Sequence, residues 1–141
     1  MEITSEQKEA ILHYARLGIV IEPLEEVILI KQQRLMNGLI LTQKELVQRA
    51  RSVFPVGIIK PSIFSLQLNT IDLPWVKNEM LELGLKPNDL IRLLGLDKSS
   101  LSLILSGSRA MTRSMKVSFF YLFQLMRLRN NVSEELNEWG E

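Results

Sequence analysis

Lys98, Ser99, Ser102 and Leu103 are spaced to share the outward side of one short helix. A lysine ammonium can donate to guanine O6 or N7. A serine hydroxyl can pair with several base edges or with a phosphate, and a leucine can touch a thymine methyl. Around them in sequence lie Lys86, Asn88, Ser106, Ser108, Arg109, Arg113 and Lys116, residue types suited to phosphate oxygens. Together these describe the reading and gripping of a DNA duplex. None of the four groove candidates is the bidentate Arg or Asn contact that carries most base information. Selectivity is therefore expected to be modest or to depend on DNA shape.

Other chemistry is poorly supplied. His13 is the only histidine and there is no cysteine, which rules out a conventional zinc site. Glu25-Glu26 and Glu134-Glu135 are adjacent pairs whose side chains point to different helix faces, so neither makes an acid/base dyad. The glycines are scattered and form no phosphate loop. Trp75 and Trp139 read as packing residues rather than stacking platforms. The expectation is a protein with no catalytic residues, no cofactor and no metal.

The elements that must position the eleven candidates lie within and just beyond residues 84–107. Two short helices, 87–94 and 98–105, are joined by a tight turn at Gly95, which supplies a positive φ. Leu90, Leu93 and Leu94 share one face of the first, and Leu101, Ile104 and Leu105 one face of the second. With Leu96 they form a small core that fixes the angle between the helices. This is the layout of a helix-turn-helix, which sets its second helix in the major groove.

Charge is distributed to match. The net charge of +1 conceals a segment, residues 85–130, with eight basic against two acidic groups. Residues 1–36 carry four basic against six acidic groups, and residues 131–141 carry no basic and four acidic groups. The cationic excess thus falls on and just after the two helices, where phosphate contacts are needed. Absence of cysteine fits a reducing compartment, and the N-terminus is too polar and acidic for a signal peptide. A cytoplasmic location is expected.

Proline and glycine punctuate the rest. Pro23, Pro61, Pro74 and Pro87 read as first helical residues, and Gly18, Gly38, Gly84, Gly95 and Gly107 as helix ends. Helices are predicted at 5–17, 23–36, 43–54, 61–68, 74–83, 87–94, 98–105 and 113–130, with room for a ninth near 133–139. Thr4 or Ser5, Thr42, Asp72 or Leu73, Asp97 and Thr112 stand at the starts, and Thr42 with Glu45 makes a capping box. Ile19-Val20-Ile21 reads as a short extended link. The predicted fold class is all-α, a compact helical bundle. Three regions follow: residues 1–70, an N-terminal helical module for oligomerisation or partner binding; residues 71–130, carrying the paired helices; and residues 131–141, an acidic tail. Residues 42–68 echo the later pair weakly, which leaves open a degenerate second helix-turn-helix there.

Residues 74–129 resemble the lambda-repressor-like, or Cro/XRE-type, DNA-binding domain of phage and bacterial regulators. The matching residues are Gly84-Leu85, Asp89-Leu90, Gly95-Leu96, Ser99, Leu101-Ser102, Ile104 and Gly107-Ser108-Arg109. The resemblance implies a bundle of about five helices that binds DNA as a dimer and represses transcription. It makes Lys98, Ser99, Ser102 and Leu103 groove-facing, and Lys86, Ser106 and Arg109 backbone-facing. The chain departs from the family at Pro87, where a phosphate-gripping Gln is common, and at Ile91, where Ala is usual.

The segment 113–130 is apolar over more than half of its helical circumference, so two sides need cover. One side is expected on the paired helices. The other has two candidates: the N-terminal helices, or a second subunit of a homodimer. The leading expectation is a sequence-selective DNA-binding transcriptional regulator of bacterial or phage type, acting as a repressor through the helix at 98–105. The alternatives are an antitoxin-like protein or an adaptor whose N-terminal helices bind a protein partner.

Overall fold

The computed structural model describes residues 2–139, with side chains as far as Glu134. The chain divides into two compact units, Met1–Leu66 and Gln67–Glu141. It is mixed α/β rather than all-α, because the first unit contains a three-stranded sheet.

The first unit begins with helix α1, Ser5–Arg16, followed by strands β1, Ile19–Pro23, and β2, Val27–Gln32. Helix α2, Gln43–Val53, and strand β3, Ile58–Ser62, complete it. β1 and β2 pair antiparallel, with Ile21 opposite Ile30. β2 and β3 pair parallel, with Ile28 opposite Ile59, and α2 makes the crossover that a parallel pair requires. Ile19, Ile21, Ile28 and Ile30 point to one face and form the core with Leu46, Ala50 and Phe54. The buried Gln32 has a partner at each end of its amide: it donates to the Leu39 carbonyl and accepts from the Leu41 N–H, both at 2.8 Å.

Two predicted helices are absent here. Residues 27–32 form β2 instead of part of a helix over 23–36, and the link at Ile19-Val20-Ile21 is a full strand. Residues 58–62 form β3, so 61–68 is not a helix and 42–68 holds no second helix-turn-helix. Pro23 and Pro61 sit in β1 and β3, the two edge strands, where a missing N–H is tolerated.

The second unit opens with a single 3-10 turn at Leu68–Thr70. Helices α3, Leu73–Leu83, α4, Pro87–Leu94, α5, Lys98–Leu105, and α6, Arg113–Trp139, follow. Asp72 caps α3 by accepting from the Trp75 N–H, and Thr112 accepts from the Met115 N–H at the start of α6. The core contains Ile71, Val76, Met80, Leu90, Leu101, Ile104, Phe119 and Phe123. Trp75 packs within it, its ring 5.5 Å from that of Phe123. The side chain of Trp139 lies outside the described residues. α6 runs through residues 131–133 without a break, so the separate ninth helix merges into it. Glu134 is exposed, and the rest of the acidic tail has no described side chains. No helix among the described residues is long and apolar enough to cross a membrane.

Candidate nucleic-acid interface

α4 and α5 are eight-residue helices separated by Gly95, Leu96 and Asp97. Gly95 closes α4 in the left-handed conformation, φ 66. Leu90 on α4 and Leu101 and Ile104 on α5 are buried, as their spacing required. Leu93 is not: it is 39% exposed, because the inward face of α4 is centred on Leu90 and takes Ile91 and Leu94 beside it.

All four groove candidates reach solvent. Lys98, Ser99, Ser102 and Leu103 lie on the side of α5 away from Leu101 and Ile104. Ser99 is changed by its neighbour. Its hydroxyl donates to Asp97 Oδ1 at 2.8 Å, so in this state it offers only lone pairs to a base edge. It suits an amino group such as adenine N6 or cytosine N4.

Asp97 organises this end of the helix. Its carboxylate caps α5 by accepting from the Ser100 N–H at 2.7 Å and also takes the Ser100 hydroxyl at 2.9 Å. Arg109 Nη1 in turn donates to Ser100 Oγ at 3.1 Å. The Ser100 N–H, the Ser99 and Ser100 hydroxyls and the Arg109 charge, in that order, hold the Asp97 carboxyl at about 2 against an ordinary 3.8. Sequence reading missed Ser100 as the link between Asp97 and Arg109. The signal was available, since a capping Asp accepts from the residue three positions on. A depression of about 240 Å³ lies beside this chain of bonds, with Asp97, Ser100 and Arg109 on its polar side and Ile104 and Met115 on its apolar side.

A pH dependence follows. The folded carboxyl binds its proton less readily than the unfolded one, so its stabilising contribution is full above about pH 4 and fades as pH falls towards 2. Asp97→Asn keeps a capping oxygen and removes the charge. Melting curves are expected to show the variant less stable than the parent at pH 7, with the gap closing near pH 2. A gap that stays constant over that range would exclude the carboxylate as its source.

The phosphate candidates divide. Arg109 and Arg113 are exposed on either side of the turn that leads from α5 to α6. The Ser106 and Ser108 hydroxyls are exposed but lie 3.0 Å apart, and Ser106 Oγ also donates to the Leu103 carbonyl. Lys86 and Asn88 are exposed at the start of α4, where Asp89 Oδ2 already accepts the Lys86 N–H at 2.9 Å. The donors at that helix start are therefore partly used by the chain's own carboxylate. Lys116 is the outlier. It is half-buried, and its ammonium is 3.4 Å from the Leu68 carbonyl, turned inward within the unit.

No known protein family, curated protein or solved structure matches this chain.

Proposed function

We propose that this protein binds double-stranded DNA as a transcriptional regulator of the bacterial or phage type. α5 enters the major groove, and the protein acts as a dimeric repressor by occupying an operator, without chemistry of its own. One observation carries this reading. α5 buries Leu101 and Ile104 while Lys98, Ser99, Ser102 and Leu103 stay in solvent, flanked by the exposed Arg109 and Arg113. Lys98 donates to a guanine, Ser99 and Ser102 pair with base edges, and Leu103 meets a thymine methyl. Arg109, Arg113, Lys86 and Asn88 hold phosphates.

The test is a salt titration of binding to mixed-sequence duplex. Affinity is expected to fall steeply with salt, each phosphate contact contributing roughly −0.9 to the log–log slope. Replacing Arg109 and Arg113 together with Ala should flatten the slope by about 2. A slope that does not change removes both arginines from the site. Duplex binding that is absent at low salt rejects the proposal as a whole.

A second reading, in which residues 1–66 bind a protein partner, has its own support. The face of the sheet opposite the core isoleucines presents Val20 and Ile58, 41% and 60% exposed. Under an adaptor function of that kind, the salt-dependent duplex binding is not observed.

A further inference from the structure

The depression beside α5 carries both signs of charge and an apolar wall. Asp97 and Arg109 line it at the two ends of a bridge through Ser100. The Ser100 hydroxyl donates to Asp97 Oδ2 at 2.9 Å and accepts from Arg109 Nη1 at 3.1 Å. The anion and the cation are thus two hydrogen-bond lengths apart at most. Leu96, Ile104 and Met115 form the apolar wall, Ile104 buried and the other two half-buried.

Each charge keeps capacity for a ligand. The Asp97 carboxylate accepts from the Ser100 N–H and from the Ser99 and Ser100 hydroxyls, against roughly four lone-pair sites. One site remains for a donor. The Arg109 guanidinium spends one N–H on Ser100 and has others to give a carboxylate as a forked pair. Thr112 also lines the depression. Its oxygen accepts the Met115 N–H, which leaves its proton to donate.

An ammonium for Asp97, a carboxylate for Arg109, the two close together, and an aliphatic group for the wall describe one chemical class. At about 240 Å³ the space is below the roughly 300–1,000 Å³ of drug-sized sites, which restricts the occupant to a small molecule. We infer that the depression binds a free α-amino acid with an aliphatic side chain of about leucine's size. Asp97 and Arg109 are exposed, so a ligand this small is expected to bind weakly, with a dissociation constant of roughly 1 mM. The inference stands independently of DNA binding. Under the proposed function, ligand and duplex compete for the Arg109 guanidinium.

The test is a titration of the isotope-labelled full-length protein with L-leucine, read by amide shifts in NMR. Saturating shifts are expected at Ser100, Arg109 and Thr112. Isocaproate lacks the ammonium and isoamylamine lacks the carboxylate, and each should bind about tenfold more weakly or worse. Glycine, without the side chain, should behave likewise. Arg109→Gln should weaken leucine binding by the same factor. Arg109 is exposed, so far-UV circular dichroism should remain that of the parent. Absence of saturation at these amides up to the solubility limit of L-leucine overturns the inference. So does isocaproate or isoamylamine binding as tightly as leucine, or an Arg109→Gln variant that binds leucine like the parent. No DNA is present, so a failure here leaves the duplex reading untouched, and a failed salt titration leaves this one untouched.

Discussion

Phe119→Ala is expected to destabilise residues 67–141 by about 3–5 kcal/mol. Phe119 is fully buried, and its ring stacks on Phe123 with centroids 5.9 Å apart. Truncation removes that contact and leaves a cavity between helices that cannot fully collapse. A small domain holds only about 5–15 kcal/mol in total, so much of the folded population is at stake. The contrast is Leu125→Ala on the opposite side of the same helix, expected to change stability by no more than about 0.5 kcal/mol in dilute protein. Urea unfolding followed by tryptophan fluorescence reads both, since Trp75 lies 5.5 Å from Phe123. Equal effects at the two positions would mean that the inward face of α6 is wrongly assigned. Under the proposed function, loss of this core also abolishes duplex binding, because α5 is anchored in the same unit through Leu101 and Ile104.

The second unit was largely legible in the sequence because each helix start carries a local mark. Asp72, Asp97 and Thr112 cap as their residue types require, and Gly95 ends α4 where a left-handed residue is needed. The sheet was hidden for a physical reason. β1 and β2 are apolar on both faces: Val20, Val27 and Leu29 alternate with the buried isoleucines, so the period of two is masked. A short, evenly apolar run reads equally well as a helix face. Pro23 and Pro61 reinforced the error, since a proline at a helix start and one on an edge strand look alike without knowledge of strand order. The helix was expected to end at 130, yet asparagine inside a helix costs only about 0.7 kcal/mol, and α6 continues through Asn130 and Asn131.

At the candidate interface, spacing alone put Lys98, Ser99, Ser102 and Leu103 on one exposed side, because buried neighbours on a short helix dictate its free face. Spacing could not say what the side chains do once there. Ser99 gives its proton to Asp97, and Lys116 reaches back to the Leu68 carbonyl, 48 positions away. The first is a local bond between residues two positions apart; the second depends on a three-dimensional neighbour. Charge counts had the same limit. They located the cationic segment, but Arg127 is engaged by Glu79 and Glu82, so it is not available in the way that Arg113 is.

Gly18→Ala is the second large effect, expected to cost about 2–5 kcal/mol in residues 1–66. Gly18 joins α1 to β1 at φ +81, and alanine there bears about 1–2 kcal/mol of left-handed strain. A methyl group would also lie 2.6 Å from the Arg34 carbonyl oxygen and 2.9 Å from Arg34 Cβ. Arg34 cannot move away easily. Its N–H and that of Gln33 donate to the Gly18 carbonyl at 3.1 and 2.8 Å, and its guanidinium donates to the Ala15 and Arg16 carbonyls at the end of α1. Relieving the overlap therefore breaks the joint between α1 and the segment after β2, which adds about 1–3 kcal/mol. Gly95→Ala separates the two contributions. φ there is +66 and nothing lies within 4 Å, so only the backbone strain of about 1–2 kcal/mol is expected. Native-state amide exchange reads each unit by itself, at Ile28 and Ile30 for Gly18 and at Leu90 and Leu101 for Gly95. If the two substitutions reduce protection equally, Arg34 yields to the methyl group and the α1 joint is not rigid. If Gly18→Ala is the more damaging by the expected margin, the close approach of Arg34 to this glycine is what fixes α1 against the sheet.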